Sequence, residues 1–391
     1  MEKIVTPLRY IPYRRADIVE MCLAEGHLDD AQHPLFRQFA NSLAAMVHTE
    51  HHTLLEDLKR AYDYLNPQNE LRESHLLTTP DHDFKTTLLQ VLEKANFEQL
   101  TEQDLQAALK EASLFKVRLH VDFSQFKEAL VFARGQTQRT EEVSWLWGRF
   151  RKNITFTHFK RVALYLRLPA QDNQPEHICL KLFQDVPKSD IEMLFPETEV
   201  KMRTIDKLFI GIPAVVSGGI VLSTKMGTTL LLLGSLFGFW LGLHADPVTL
   251  NKASVLALLA GTGALGGYVW KQVKNFRTRK LKFVQALTRN LYFKNLANNT
   301  SVLYQLIDDA EEEESKEILL AYYFLLISEE ALTAQQLDTL IENWFAKHWH
   351  YELDFEISDA LNKLERFNLA SAQGGKWQAV SLEDSVRNTT F

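Results

Sequence analysis

Apolar positions in the first part of the chain recur at helical spacing. Phe36, Phe39, Leu43, Val47, Leu54, Leu55 and Leu58 fall on one face of a helix over 36–64, and Pro67 stops it. Shorter helices are predicted over 17–24, 84–94 and 102–114, the last opened by a Thr101…Asp104 capping pattern. The period then changes. Residues 116–121, 130–134, 154–168 and 177–183 are rich in Val, Ile, Leu, Phe and Tyr with partial alternation, which predicts an antiparallel sheet of about four strands. This half is therefore expected to be α+β.

Three apolar runs follow, over 208–223, 228–243 and 253–270, and none contains Asp, Glu, Lys or Arg. Each is slightly short of the roughly 20 residues that span a hydrocarbon core of about 30 Å. The pattern predicts a transmembrane hairpin from the first two runs with Lys225 at its tip, the third run being re-entrant, interfacial or packed on it; three full spans are the alternative. Gly234, Gly238 and Gly242, and then Gly263 and Gly267, recur every four residues and suit close helix packing, within one bundle in preference to between two copies. Six basic residues, Lys271, Lys274, Arg277, Arg279, Lys280 and Lys282, follow the third run without an acid, which predicts an inside location at an anionic lipid surface. Residues 1–15 hold no signal-type apolar run, so the N-terminal half is expected inside as well.

The C-terminal pattern is helix over 316–327, Thr333 as N-cap of a helix to about 348, strand over 351–355, helix over 357–367, and strands over 369–373 and 376–382 around Gly374 and Gly375. That order predicts a winged helix. The expected domains are thus 1–200, 201–282 and 283–391. A winged helix raises DNA binding, and charge argues against it: residues 317–391 carry twelve Asp/Glu against five Lys/Arg, a balance of -7 and the wrong sign for phosphate. A protein-contact role is preferred. The acidic run over 308–314 reads as the solvated start of a helix or a linker.

Composition narrows the chemistry further. Across 391 residues with net charge -7 there are only two cysteines, Cys22 and Cys179, which gives neither a disulfide framework nor metal-type spacing. His48 and His52 share a helix face and are the candidate metal pair, incomplete without a third ligand. His348 and His350 suit a helix C-terminus. Asp185, Lys188, Asp190 and Glu192 read as a strand-to-helix turn capped by Ser189 in preference to an acid/base set. No phosphate loop, nucleophile elbow or CxxC pair occurs. No catalytic residue and no cofactor is therefore assigned.

Four blocks carry a family resemblance: Tyr10-Ile-Pro-Tyr-Arg-Arg-Ala-Asp-Ile-Val-Glu-Met, Phe132-Ala-Arg-Gly135, Leu180-Lys-Leu-Phe-Gln-Asp-Val-Pro-Lys-Ser-Asp-Ile-Glu-Met-Leu-Phe-Pro196 and Leu291-Tyr-Phe-Lys-Asn-Leu-Ala-Asn-Asn299. From Tyr10 through Leu326 the chain resembles the membrane family called domain of unknown function 3754, with animal transmembrane protein 143 as a relative. The resemblance implies membrane location, here a bacterial inner membrane, and little chemistry. The expected function is accordingly a multi-pass, membrane-anchored scaffold or protein-interaction module with both soluble domains cytoplasmic. Its expected partners are the lipid bilayer and a protein or a second copy, with no nucleic acid. The alternatives are an oligomeric small-solute channel or transporter, and a metal-dependent enzyme using His48 and His52.

Overall fold

The computed structural model describes residues 2–4, 7–68, 84–101, 103–104, 118–120, 123–145, 150–170, 175–196, 199–201, 294–350 and 352–390, with isolated positions between 241 and 281. Its strands and helices, in chain order, are β1 (Glu2–Ile4), α1 (Arg15–Ala24), α2 (Gln32–Asp63), α3 (Phe84–Lys94), β2 (Glu98–Gln99), β3 (Arg118–His120), β4 (Glu128–Trp145), β5 (Phe150–Leu168), β6 (His177–Pro187), β7 (Glu199–Lys201), β8 (Asn295–Asn298), α4 (Thr300–Ile327), β9 (Leu332–Thr333), α5 (Ala334–Trp349), α6 (Ile357–Arg366), β10 (Ala370–Gln373), β11 (Lys376–Ala379) and α7 (Leu382–Thr389). Short 3-10 turns lie at Phe123–Gln125 and Lys188–Leu194. Contacts divide the chain into two units, one of residues 1–112, 122–194 and 294–391, the other of residues 113–121 and 195–293.

Long alternating strands dominate the first unit. β4, β5 and β6 form an antiparallel meander whose edges are extended by short strands, giving the order β1-β4-β5-β6-β8 with β2 also on β4. β1 pairs with residues 137–139 of β4 and β2 with residues 132–133, so two strands share one edge and leave residues 134–136 between them. Both long ladders skip the same level, at Gly135, Lys160 and Asp185, and resume in unchanged register. Gly135 (φ 70°) and Asp185 (φ 49°) are left-handed there, which creases the sheet. A Cβ on Gly135 would lie 2.9 Å from both Lys160 Cγ and Tyr10 Cε1, so glycine is needed for conformation and for space.

One sheet face packs Phe132, Ala163, Tyr165, Ile178, Leu180 and Leu182 against the second half of α2, α3 and the start of α4. A second core joins α1, the first half of α2 and the end of α4 to α5, α6 and the β10–β11 hairpin. Helix α4, 28 residues long, serves both cores, with Leu303 and Leu306 in one and Leu319 to Tyr323 in the other. Aromatic contacts seal the second core: Phe39 lies 4.4 Å from Tyr322 and Phe36 lies 5.7 Å from Tyr323, ring to ring.

After α4 the order is strand, helix, helix, hairpin, with β10, β11 and β9 in one three-stranded sheet. The Thr333 cap is present: its Oγ1 accepts from the backbone of Gln336 at 3.3 Å. The hairpin turns on Gly374 (φ 59°) and Gly375 (φ 78°), the two left-handed residues that suit a two-residue turn. Among the described residues of the expected strand over 351–355, none lies in a strand. Instead Leu353 makes a single parallel bridge with Leu8, and Leu8 takes a hydrogen bond from the Asp354 amide at 2.9 Å.

Among the described residues no helix is long and apolar enough to cross a membrane. This overturns the expected transmembrane hairpin, and with it the multi-pass inner-membrane location, the membrane-anchored scaffold and the channel alternative. The two longest described helices show the physical reason. α2 carries Arg37, Glu50, Glu56, Asp57, Lys59 and Arg60, and the charges of α4 leave Ile318–Ile327 as its longest uninterrupted stretch, about half of a span. The runs over 208–223 and 228–243, with Gly234, Gly238 and Gly242, lie outside the described residues apart from Leu241.

The second unit contains the short antiparallel pair β3–β7. Lys252, Gly263, Gly267, Lys271, Lys274 and Arg277 are helical positions in it, and a Cβ on either glycine would meet nothing within 4 Å. Arg279, Lys280 and Lys282 lie outside the described residues.

Candidate functional site

The acidic run over 308–314 sits in the middle of α4 and much of it turns inward. Asp309, Glu313, Glu314, Lys316 and Glu317 are all buried, so the reading of this stretch as a solvated helix start or linker is overturned. Buried charge requires partners, and the partners come from distant segments. Asp309 accepts from Arg161 of β5 and lies 3.8 Å from Arg134 of β4. Glu313 accepts from Arg134 at 3.0 Å, from Lys316 at 2.9 Å and from the Ile11 amide at 3.0 Å. Lys316 also donates to the carbonyls of Ile11 and Tyr13, at 2.7 and 3.1 Å. Glu314 gathers Lys363 of α6, Lys94 of α3 at 3.0 Å and His51 of α2 at 3.3 Å.

Environment divides these carboxyls. Burial alone would push Glu314 up, yet Lys363, Lys94 and His51 together hold it below the usual carboxylate range. Burial, with Glu313 beside it, pushes Glu317 well above that range. Its hydrogen-bond partner is the Asn96 amide, which donates at 3.1 Å. Asn96 is itself buried and left-handed (φ 57°) in the turn that links α3 to β2.

In front of this network lies a cleft of about 240 Å³ lined by residues 7–10, Asn96, Glu98, residues 133–136 and Asp354. It occupies the gap between β1 and β2 on the β4 edge. Arg134, held from behind by Glu313, donates to the Ala95 carbonyl at 3.0 Å and stacks 4.7 Å from the Tyr10 ring. Both polar groups of the floor, Asn96 and Arg134, are therefore fixed by buried carboxyls behind them. At the mouth Arg9 bridges Glu98, at 3.4 Å, and Glu356.

Beyond Asp354 the surface is acidic. The Asp338 carboxyl is pushed up to about 6 by burial and by Glu342 and Asp354 nearby. The basic residues of the C-terminal segment are largely used within the fold: Lys363 lies on Glu314, Arg366 on Glu50 at 2.5 Å and Arg387 on Asp384 at 3.2 Å.

The residues singled out from sequence lie elsewhere. His48 and His52 are exposed and stacked on α2 with centroids 6.2 Å apart, and His48 Nδ1 lies 2.9 Å from Glu311. Among the described residues no group of three or more His, Cys, Asp or Glu is placed to hold a metal ion. His348 lies 3.6 Å from Glu25. Asp185 is at the sheet crease, where the buried His158 links it, at 3.2 Å, to Thr137 at 2.7 Å. Sequence reasoning missed His158, Arg134, Arg161, Asn96 and the inward face of α4. A signal was present: Asp309, Glu313, Lys316 and Glu317 repeat at helical spacing directly before the apolar stretch of Ile318–Ile327.

No solved structure matches the chain. A family model described as a protein of unknown function (DUF3754) matches residues 127–301, from the start of β4 into the first turn of α4. That match does not extend to a relation with animal transmembrane protein 143. Over residues 127–301, which include Arg134, Gly135 and Arg161, the chain belongs to the DUF3754 family of unknown function.

Proposed function

We propose that the chain is a protein-contact module whose acidic face around Asp338, Glu342 and Asp354 takes a cationic segment of a partner protein. The carrying observation is the Asp338 carboxyl, held up to about 6 by burial and two neighbouring acids. Burial is the larger part of that shift, and Glu342 and Asp354 add a negative field that an approaching cation relieves. The charge balance supports the same reading. Among the described residues of 317–391, Lys347 and Lys376 are the basic residues left outside the ion pairs, against six exposed acids, Glu329, Glu330, Glu352, Asp354, Glu365 and Glu383. The helix that would read DNA in a winged helix, α6, has Ala360, Leu361, Lys363 and Leu364 buried against the rest of the fold.

The test is a fluorescence-anisotropy titration of the full chain with a basic peptide, its charge-inverted counterpart and duplex DNA at two ionic strengths. The expected result is binding of the basic peptide alone, weakening as salt rises and reduced several-fold by Asp338→Asn with Asp354→Asn. Tighter binding of duplex DNA, or equal binding of both peptides, overturns the proposal.

A further inference from the structure

We infer that the partner is a second copy of this chain: the cationic helix face at Lys271, Lys274 and Arg277 of each copy seats on the acidic face of the other, in a two-fold pair. The inference rests on the acidic-face reading and names the occupant of that face.

The helix face carries the first observations. Between Lys252 and Leu281 the described helical positions recur every three or four residues and all are exposed, so they mark one face. On it Leu256, Leu259 and Trp270 are 67%, 64% and 71% exposed, and a Cβ at Gly263, Gly266 or Gly267 would meet nothing within 4 Å. An exposed apolar row of this extent marks a contact surface. The next turns are cationic. Lys271, Lys274 and Arg277 continue the same face, and none of them has an ion pair among the described residues. Like charges three residues apart on a helix repel, and no acid occurs over 271–282 to relieve them. An anionic surface brought to this face removes that repulsion.

Charge complementarity selects the second copy. Glu352 and Asp354 are exposed and alternate with the buried Leu353 and Phe355, which sets both carboxylates on the outer side of one stretch, about 7 Å apart. The three cations rise by about 4.5 Å from one to the next, a matching scale. Glu342 of α5 accepts from the Phe355 amide at 3.3 Å and so joins its acids to this stretch. On α5 the Asp338 Oδ1 atom is buried and has no hydrogen-bond partner among the described residues, so no donor there answers the negative field. The cationic face belongs to one unit of the chain and the acidic face to the other. A second copy therefore offers each face its counter-charge, and a two-fold axis makes the contact twice and closes the assembly at two.

The experiment is sedimentation velocity on the full chain at low and high salt, beside the basic-peptide titration. Wild type is expected as two copies at low salt and one at high salt. Lys271→Glu with Lys274→Glu and Arg277→Glu should weaken self-association at least about tenfold, as should Glu352→Lys with Asp354→Lys. The decisive sample is the chain carrying all five substitutions, in which both faces are reversed: it should pair again, and so should an equimolar mixture of the two partial variants. Restored pairing separates lost complementarity from lost folding. If wild type is a single copy at low salt, if reversal of the helix face leaves pairing unchanged, or if the five-fold variant stays single, the second copy falls; the acidic-face reading stands as long as the basic peptide binds. If Glu352→Lys with Asp354→Lys changes neither pairing nor peptide binding, both fall.

Discussion

Glu314 and Lys363 form an asymmetric pair, and the asymmetry predicts how each substitution behaves. The side chains are 1% and 6% exposed, so either charge is costly when left alone. Glu314→Gln strands Lys363 with only Asp359 at 3.2 Å, a carboxylate that is 47% exposed. Removing one partner of a buried pair costs about 3–5 kcal/mol, and the remaining Asp359 places this case near 3 kcal/mol. Lys363→Met leaves Glu314 with Lys94 and His51, and should cost about 1–2 kcal/mol. With a urea m-value of about 2–3 kcal/mol/M, the midpoint falls by about 1–1.5 M for Glu314→Gln and about 0.3–1 M for Lys363→Met. The double variant should be more stable than Glu314→Gln alone, because the second change removes the stranded charge. Acid adds a check. A carboxyl held below its unfolded value of about 4.3 contributes stability that is present above that pH and lost as pH falls through the folded value. The gap between wild type and Glu314→Gln should therefore close below about pH 4. A Lys363→Met midpoint lower than that of Glu314→Gln, or a double variant equal to the sum of the singles, refutes the reasoning.

Glu317→Gln has the opposite sign: the raised carboxyl opposes folding increasingly as pH climbs above about 4.3, so the variant should match wild type at pH 4 and have a higher urea midpoint at pH 8. Gly135→Ala should cost about 1–3 kcal/mol in thermal or urea unfolding, since φ is 70° and the new Cβ meets Tyr10 and Lys160. Tyr62→Phe removes a hydroxyl that donates to the Ile178 carbonyl at 2.8 Å and lies 3.2 Å from Asn299 Oδ1, at a cost of about 1 kcal/mol in the same assays. Carbon-13 titration should find the Asp338 carboxyl near 6, and Asp354→Asn should bring it down.

Periodicity was enough to find the helices that build their own pattern. α2 buries Phe36, Phe39, Leu43, Val47, Leu55 and Leu58 of the predicted stripe, with Leu54 half-buried, and α3 spans the predicted residues. The long strands were legible in their middles and too short at their ends. β4 runs from 128 to 145 because residues 136–145 are each supported by pairing with β5, information that lies in the partner. Strands β1, β2, β8 and β9, of two to four residues, leave no alternation to read. The helix predicted over 102–114 falls mostly outside the described residues, although its Thr101 cap is present, accepting from Asp104 at 3.1 Å. α7 was missed even though Ser381 caps it, because its apolar residues are few. The cleft was not legible at all. Tyr10, Asn96, Arg134 and Asp354 are far apart in sequence, and what joins them is a gap in a sheet edge.

The inward charges of α4 also set an order of events during synthesis. Ile11, Tyr13, His51, Lys94, Arg134 and Arg161 all leave the ribosome before the carboxylates and the lysine that complete them. At roughly 5–20 residues per second, about 15–60 s separate the emergence of residue 13 from that of residue 317. Throughout that interval the sheet and its neighbouring helices hold cationic groups with no buried counter-charge to receive them, so those groups stay hydrated and their burial waits for α4.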